Sequence, residues 1–224
     1  MLFFTFDTAL DKTYITLCNN EDILHSEVIE SNDDHYHSAY LISTIVEILK
    51  KYNLKMTDIN AIGVNIGPGS FTGVRACVTI ARVIAQQLNL PLIGVSSLEI
   101  ISKINKTGGQ TTVILDARKD MCYFAKYAPD GTEMIKPGLV DVDTLEITEK
   151  DCVITDASIK EKLSNKNILA TCYTDLNEDL GYHLAKIVFD RINKNLTNNW
   201  ATVKPLYIQV PSISKPKKSA LGDL

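Results

Sequence analysis

Asp7, Ser70, Asp116 and the histidines at 35 and 37 are the residues of this sequence whose types and spacing could do chemistry. Asp7 ends an apolar run and precedes Thr8, a position from which a carboxylate can serve as general base or orient a metal. Asp116 has a matching place further on: Asp7, Asp11 and Tyr14 recur as Asp116, Asp120 and Tyr123, all shifted by 109 residues. For both aspartates the competing use is hydrogen bonding to turn amides. Ser70 lies within Gly67-Pro68-Gly69-Ser70-Phe71-Thr72-Gly73-Val74-Arg75, which joins a strand-like segment to a long helix pattern. Gly67 and Gly69 allow positive φ and close backbone approach, Pro68 stiffens the turn, and Ser70 stands where a helix N-cap is wanted. Such an elbow gathers unpaired N–H groups and the positive end of a helix dipole at one point, an arrangement that holds phosphates.

The familiar phosphate and hydrolase motifs do not fit it. Val74 follows Gly73 with no lysine in the elbow, which excludes a Walker A loop. Gly73 falls one position late for the dinucleotide fingerprint, and the preceding strands read as antiparallel. Pro68 and Thr72 flank Ser70 where a nucleophile elbow needs glycines. His35 and His37 could share a metal only on extended backbone, whereas a solvated helix start beside Asp33 and Asp34 explains the pair without one. The five cysteines are scattered with no C-x-x-C pair, so neither a disulfide framework nor a zinc site is expected, and a reducing compartment fits.

The elements that must position these residues follow from periodicity. Strands are predicted over 2–7, 12–18 and 22–30, then a helix from about 34 to 52, a strand over 61–66, a helix over 70–89 and a strand over 91–95. In the second half, strands fall near 110–116 and 121–128, a turn at Pro129-Asp130-Gly131 and a helix from about 177 to 195. Residues 133–175 are poorly patterned, and the stretch from Pro205 reads as a charged, solvated tail with Lys215, Lys217 and Lys218. The repeated aspartate–tyrosine trio on the same predicted hairpin supports an internal duplication. The second helix carries two apolar stripes. Phe71, Val74, Val78, Ala81, Ala85 and Leu88 form one, and Gly73, Cys77, Ile80 and Ile84 the other, so it needs cover on two sides, from its own domain or from a partner.

With 224 residues and a net charge of −4, the chain is large enough for one large or two small domains and too acidic for a dedicated nucleic-acid binder. Its first residues lack a basic leader region and no run approaches a membrane span, so a cytoplasmic protein without membrane contact is expected.

Taken together, Asp7-Thr8, His37-Ser38, the elbow nonapeptide, Pro91 to Ser97, Asp116-Ala117-Arg118 and Pro205-Leu206-Tyr207 resemble the TsaB (YeaZ) family. The resemblance implies an α/β fold of two RNase H-like domains of the actin, Hsc70 and sugar-kinase superfold, expected at 1–103 and 104–204 with a tail at 205–224. It implies a non-catalytic subunit in threonylcarbamoyl modification of the adenosine beside the tRNA anticodon. The partners are the catalytic paralogue TsaD and the ATPase TsaE, with tRNA met only indirectly and ATP and metal carried by the partner subunits rather than by this chain alone. In TsaD proteins a V-N-H-M-E-G-H type segment supplies metal-ligating histidines. Ser97 and Ile101 take those two positions here, and isoleucine cannot ligate a metal. Val153-Ile154-Thr155-Asp156-Ala157-Ser158 replaces a glycine-lined adenosine site, and Gln209 and Met121 depart from the family's usual arginine and glutamate.

On this reading the expected partner interface is Leu41, Ile45 and Ile48 with Ser70, Phe71, Val74, Val78, Ala81 and Ala85. The same faces favour a homodimer when TsaD is absent. Asp7, Thr8, Gly67 and Gly69 then mark a vestigial nucleotide site. The alternative is an ATP-dependent phosphotransferase of the same superfold using Asp7. A metalloprotease fails on the missing histidines.

Overall fold

The structure is a computed structural model that describes residues 1–30 and 40–208. The histidine pair, Asp33, Asp34, Ser38, Gln209 and the lysine cluster lie outside the described residues. The first half runs β1 (Leu2–Asp7), β2 (Thr13–Asn19), β3 (Asp22–Ile29), α1 (Leu41–Lys51), β4 (Ala61–Asn65), α2 (Phe71–Leu88), β5 (Leu92–Val95) and α3 (Ser97–Ser102). The second runs β6 (Gln110–Asp116), β7 (Met121–Tyr127), β8 (Glu133–Asp141), β9 (Asp151–Thr155), α4 (Ala157–Ser164), β10 (Thr171–Cys172) and α5 (Leu180–Asn193).

Each half builds one five-stranded sheet, ordered β3-β2-β1-β4-β5 and β8-β7-β6-β9-β10. In both, the first three strands form an antiparallel meander and the last two join in parallel. The shared order is what a duplication produces. The register nevertheless corrects one part of the repeat. Asp7 pairs with Tyr14, but Asp116 pairs with Cys122 and Tyr123 with Leu115. The second hairpin turn is one residue shorter, so Tyr123, paired with Leu115, still faces the central layer as Tyr14 does, while Asp116, paired with Cys122, falls on the opposite face and is not the counterpart of Asp7.

β1 is a near-continuous apolar run because both of its faces are covered. Phe3 enters a central layer, where α3 and α5 lie between the sheets with Leu98, Ile101, Leu184 and Val188. Phe4 and Phe6 enter a second core under α1 and α2. The halves exchange helices: α3 packs on β6 and β7, whereas α5 packs on β1, β2, β4 and β5. Arg191 of α5 ties the layer together, donating to both Glu99 carboxylate oxygens at 2.8 and 2.6 Å and to the Gly94 carbonyl at 2.7 Å.

α2 matches its predicted span closely. Ser70 is its N-cap, accepting from the Gly73 N–H at 3.3 Å, and Asn89 ends it in left-handed conformation. α1 begins at Leu41 among the described residues and buries Leu41, Ile45, Ile48 and Leu49.

Two expectations need correction. The weakly patterned stretch 133–175 holds β8, β9, α4 and β10. β8 escaped the pattern because it is an edge strand, interrupted by Pro137 and Gly138 and largely exposed. The start of the expected solvated tail instead returns to the elbow, where the Leu206 N–H donates to the Ile66 carbonyl at 2.7 Å.

Candidate functional site

The elbow closes on its own chain. Gly67 has φ +93°, and the Gly67–Pro68 peptide is cis. A Cβ at Gly69 would strike the Ala9 carbonyl oxygen, and one at Gly73 the Thr8 carbonyl oxygen. The glycines expected to admit a phosphate therefore admit the β1–β2 turn. Ser70 N–H donates to Ala9 O at 2.8 Å, and Thr8 Oγ1 donates to Gly73 O at 2.7 Å, locking turn and helix start together.

Asp7 lies beneath this lock, fully buried. Its Oδ1 accepts from the Ala9 N–H at 2.6 Å and its Oδ2 from Asn65 Nδ2 at 2.8 Å. Burial pushes its carboxyl up to about 6, opposed by those two hydrogen bonds. Asn65 Oδ1 accepts in turn from Gly67 N–H at 2.8 Å and Ser97 Oγ at 2.9 Å. Ser97 and Ile101, which take the metal-ligand positions of the paralogue, are both buried; Ser97 is a strut between α3 and the elbow. Asp7, Thr8, Gly67 and Gly69 thus come together as expected, but as one packed unit. Both Asp7 oxygens accept a hydrogen bond from the chain itself and are shielded from solvent. Sequence reasoning missed Asn65, whose only signal was its place as the polar end of an apolar strand running into the elbow.

The second half is closed differently. Asp156 caps α4, accepting from Ile159 N–H at 2.9 Å through Oδ1 and from Asp116 N–H at 2.6 Å through Oδ2. Its carboxylate occupies the helix terminus a phosphate would need.

The expected interface residues divide sharply. Leu41, Ile45, Ile48, Val74, Val78, Ala81 and Ala85 are all buried in the chain's own core and present no surface to a partner. The reason is geometric: the stripe with the strongest apolar signal is the one that faces the sheet. Ser70 and Phe71 are exposed. On α1 and α2 the exposed large apolar side chains are Ile42 and Val46 on the first and Phe71 and Val83 on the second, with Ile42 58% and Val83 52% exposed, and Ile80 and Ile84 are half-buried.

Two mixed sheets of identical order, with their helices exchanged across a shared core, define a duplicated RNase H-like protein. The chain belongs to the family described as TsaD, tRNA N6-adenosine threonylcarbamoyltransferase, whose sequence profile matches residues 24–214. It is similar to the tRNA threonylcarbamoyladenosine biosynthesis protein TsaB of Escherichia coli, 34% identical over 128 residues that cover 55% of this chain and 54% of that protein. An uncharacterised protein of Mycobacterium tuberculosis is 32% identical over 140 residues, covering 61% and 65% respectively. The alignments thus span less than two thirds of these relatives' own lengths. YeaZ from Pseudomonas aeruginosa shares the fold, with a TM-score of 0.74 at 19% identity over 92% of this chain and 99% of that one. A second Pseudomonas aeruginosa structure, described as similar to peptidase YEAZ, has a TM-score of 0.75 at 18% identity, covering 93% and 99%. No helix among the described residues is long and apolar enough to cross a membrane.

Proposed function

We propose that this chain is a non-catalytic subunit in threonylcarbamoyl modification of tRNA, acting by docking and ordering a TsaD-type catalytic paralogue. The observation that carries the reading is the apolar side chains that the two helices leave outside the core, Ile42 and Val46 on α1 and Val83 on α2. Exposed β-branched side chains on two helices that share one core suit a helical partner face, and uncovered apolar surface of this kind favours association. The packed state of Asp7 and Ser97 supports assigning the chemistry, the metal and ATP to partner subunits, TsaD and TsaE, with tRNA contacted through them. The same side chains serve a homodimer when TsaD is absent. The names of the curated relatives favour this reaction over others open to the fold.

The test uses an Ile42→Glu/Val83→Glu variant, with co-purification against TsaD and modification of tRNA in the reconstituted system. Loss of both with an unchanged melting temperature is expected. Retention of both by a folded variant would remove the proposed face.

A further inference from the structure

The last described residues run along the wall of a cleft between the two halves, about 870 Å³ in volume. Leu206, Tyr207 and Ile208 all line it. They are fixed in place: the Leu206 N–H donates to the Ile66 carbonyl at 2.7 Å, Arg75 Nε donates to the Tyr207 hydroxyl at 3.0 Å, and the Ile208 N–H turns back to the Leu206 carbonyl at 3.1 Å. The chain is thus delivered to the cleft at the point where it leaves the described residues. Docking through α1 and α2 makes no use of this.

The lining has an apolar part and a charged part. Leu10 comes from the first half, and Leu115 and Tyr123 from the second. Asp11, Asp116 and Asp156 stand against Arg118 and Lys119 of the left-handed β6–β7 turn, which leaves the lining with more negative charge than positive. Asp156 is held by the α4 cap and the Asp116 amide, and Asp11 meets the Tyr173 hydroxyl. The Asp116 carboxylate forms no ion pair or hydrogen bond among the described residues.

The sequence continues Gln209-Val210-Pro211-Ser212-Ile213-Ser214-Lys215-Pro216-Lys217-Lys218, with three lysines and no acid. Each proline biases the residue before it away from helix and toward extended backbone. An extended chain advances about 3.3 Å per residue, so the stretch from Ile208 to Lys215 is long enough to cross a cleft on the order of 10 Å wide. Tethering at Ile208 gives the segment a local concentration of roughly millimolar, at which modest apolar and charge contacts suffice. We propose that residues 209–218 fold back as the occupant of this cleft, with Val210 and Ile213 against Leu10, Leu115 and Tyr123 and the lysines on Asp116 and Asp11. The segment then ties the second half to the elbow and keeps other ligands out.

The full chain with benzoylphenylalanine at position 213, irradiated when dilute and mapped by mass spectrometry, tests this. Adducts within the same chain to the β1–β2 turn, or to β6 and β7 beside the cleft, are expected. Adducts confined to other surfaces or to a second copy, or no adduct at all, would overturn the proposal. Trypsin gives an independent reading, since cleavage after Lys217 or Lys218 requires the released segment. It should run about tenfold slower or more in the folded chain than in a free peptide of residues 209–224, because the released form is then the minor one. Asp116→Lys should recover much of that difference while the melting temperature holds. Equal cleavage of chain and peptide, or protection that the folded Asp116→Lys variant keeps in full, would contradict the assignment.

Discussion

Gly73 lies against Thr8 so closely that a single added methyl group would overlap the Thr8 carbonyl oxygen, while the Thr8 hydroxyl bonds back to the Gly73 carbonyl at 2.7 Å. A helix start and a hairpin turn 65 residues apart are thereby fused. Gly73→Ala should cost about 3 kcal/mol, since backbone cannot yield as a flexible side chain can. Thermal or denaturant melting measures this. A loss below that of an ordinary surface substitution would mean that the elbow is not locked to the turn.

Asp7 gives a pH signature of known sign. Its folded pKa of about 6 lies above the ordinary carboxylate value of 3.8, so its contribution is most favourable below that value and is lost as pH rises through about 6. The full effect is on the order of 3 kcal/mol. Asp7→Asn removes the titration, so the difference in melting temperature between the two proteins should shift in favour of the variant from about pH 4 to about pH 6 and stay level above about pH 7. Parallel pH profiles would show that the carboxylate is not held in a desolvated site.

Asp151 provides the opposite case in the second half. It accepts from Thr112 Oγ1, Thr148 N–H, Gln110 Nε2 and Lys126 Nζ. Burial opposes its charge, but these bonds prevail and hold its carboxyl down at about 2. Its stabilisation is present above the ordinary value of 3.8 and is lost as pH falls toward about 2, a contribution of about 2 kcal/mol. Asp151→Asn should therefore lower stability at pH 7 and narrow its deficit under acid, as read by urea denaturation at both pH values.

Much of this fold was legible in the sequence. The two hairpins, the elbow, the long second helix and the last helix all announce themselves through period and punctuation, because each has one strongly buried face. β8 does not, since an exposed edge strand has little reason to alternate. The site was legible in membership but not in sense. Asp7, Thr8, Gly67 and Gly69 do converge, yet only coordinates reveal that the space the glycines open is taken by the chain itself. The interface reading erred for a related reason: a sequence displays where apolar residues concentrate, and concentration marks the core. The weaker flanking positions, Ile42, Val46 and Val83, are the ones left outside. The Arg118–Asp120 turn carried no glycine or asparagine to signal its left-handed backbone.

The most direct test of the account joins a positive and a negative variant in the reconstituted modification reaction. Ile42→Glu/Val83→Glu should abolish both binding to TsaD and threonylcarbamoylation of tRNA. Asp7→Asn, provided it folds, should bind TsaD and support modification at the level of the unaltered chain. The opposite result, full modification by the helix-face variant and none by Asp7→Asn despite normal binding, would contradict a docking role and return the chemistry to this chain.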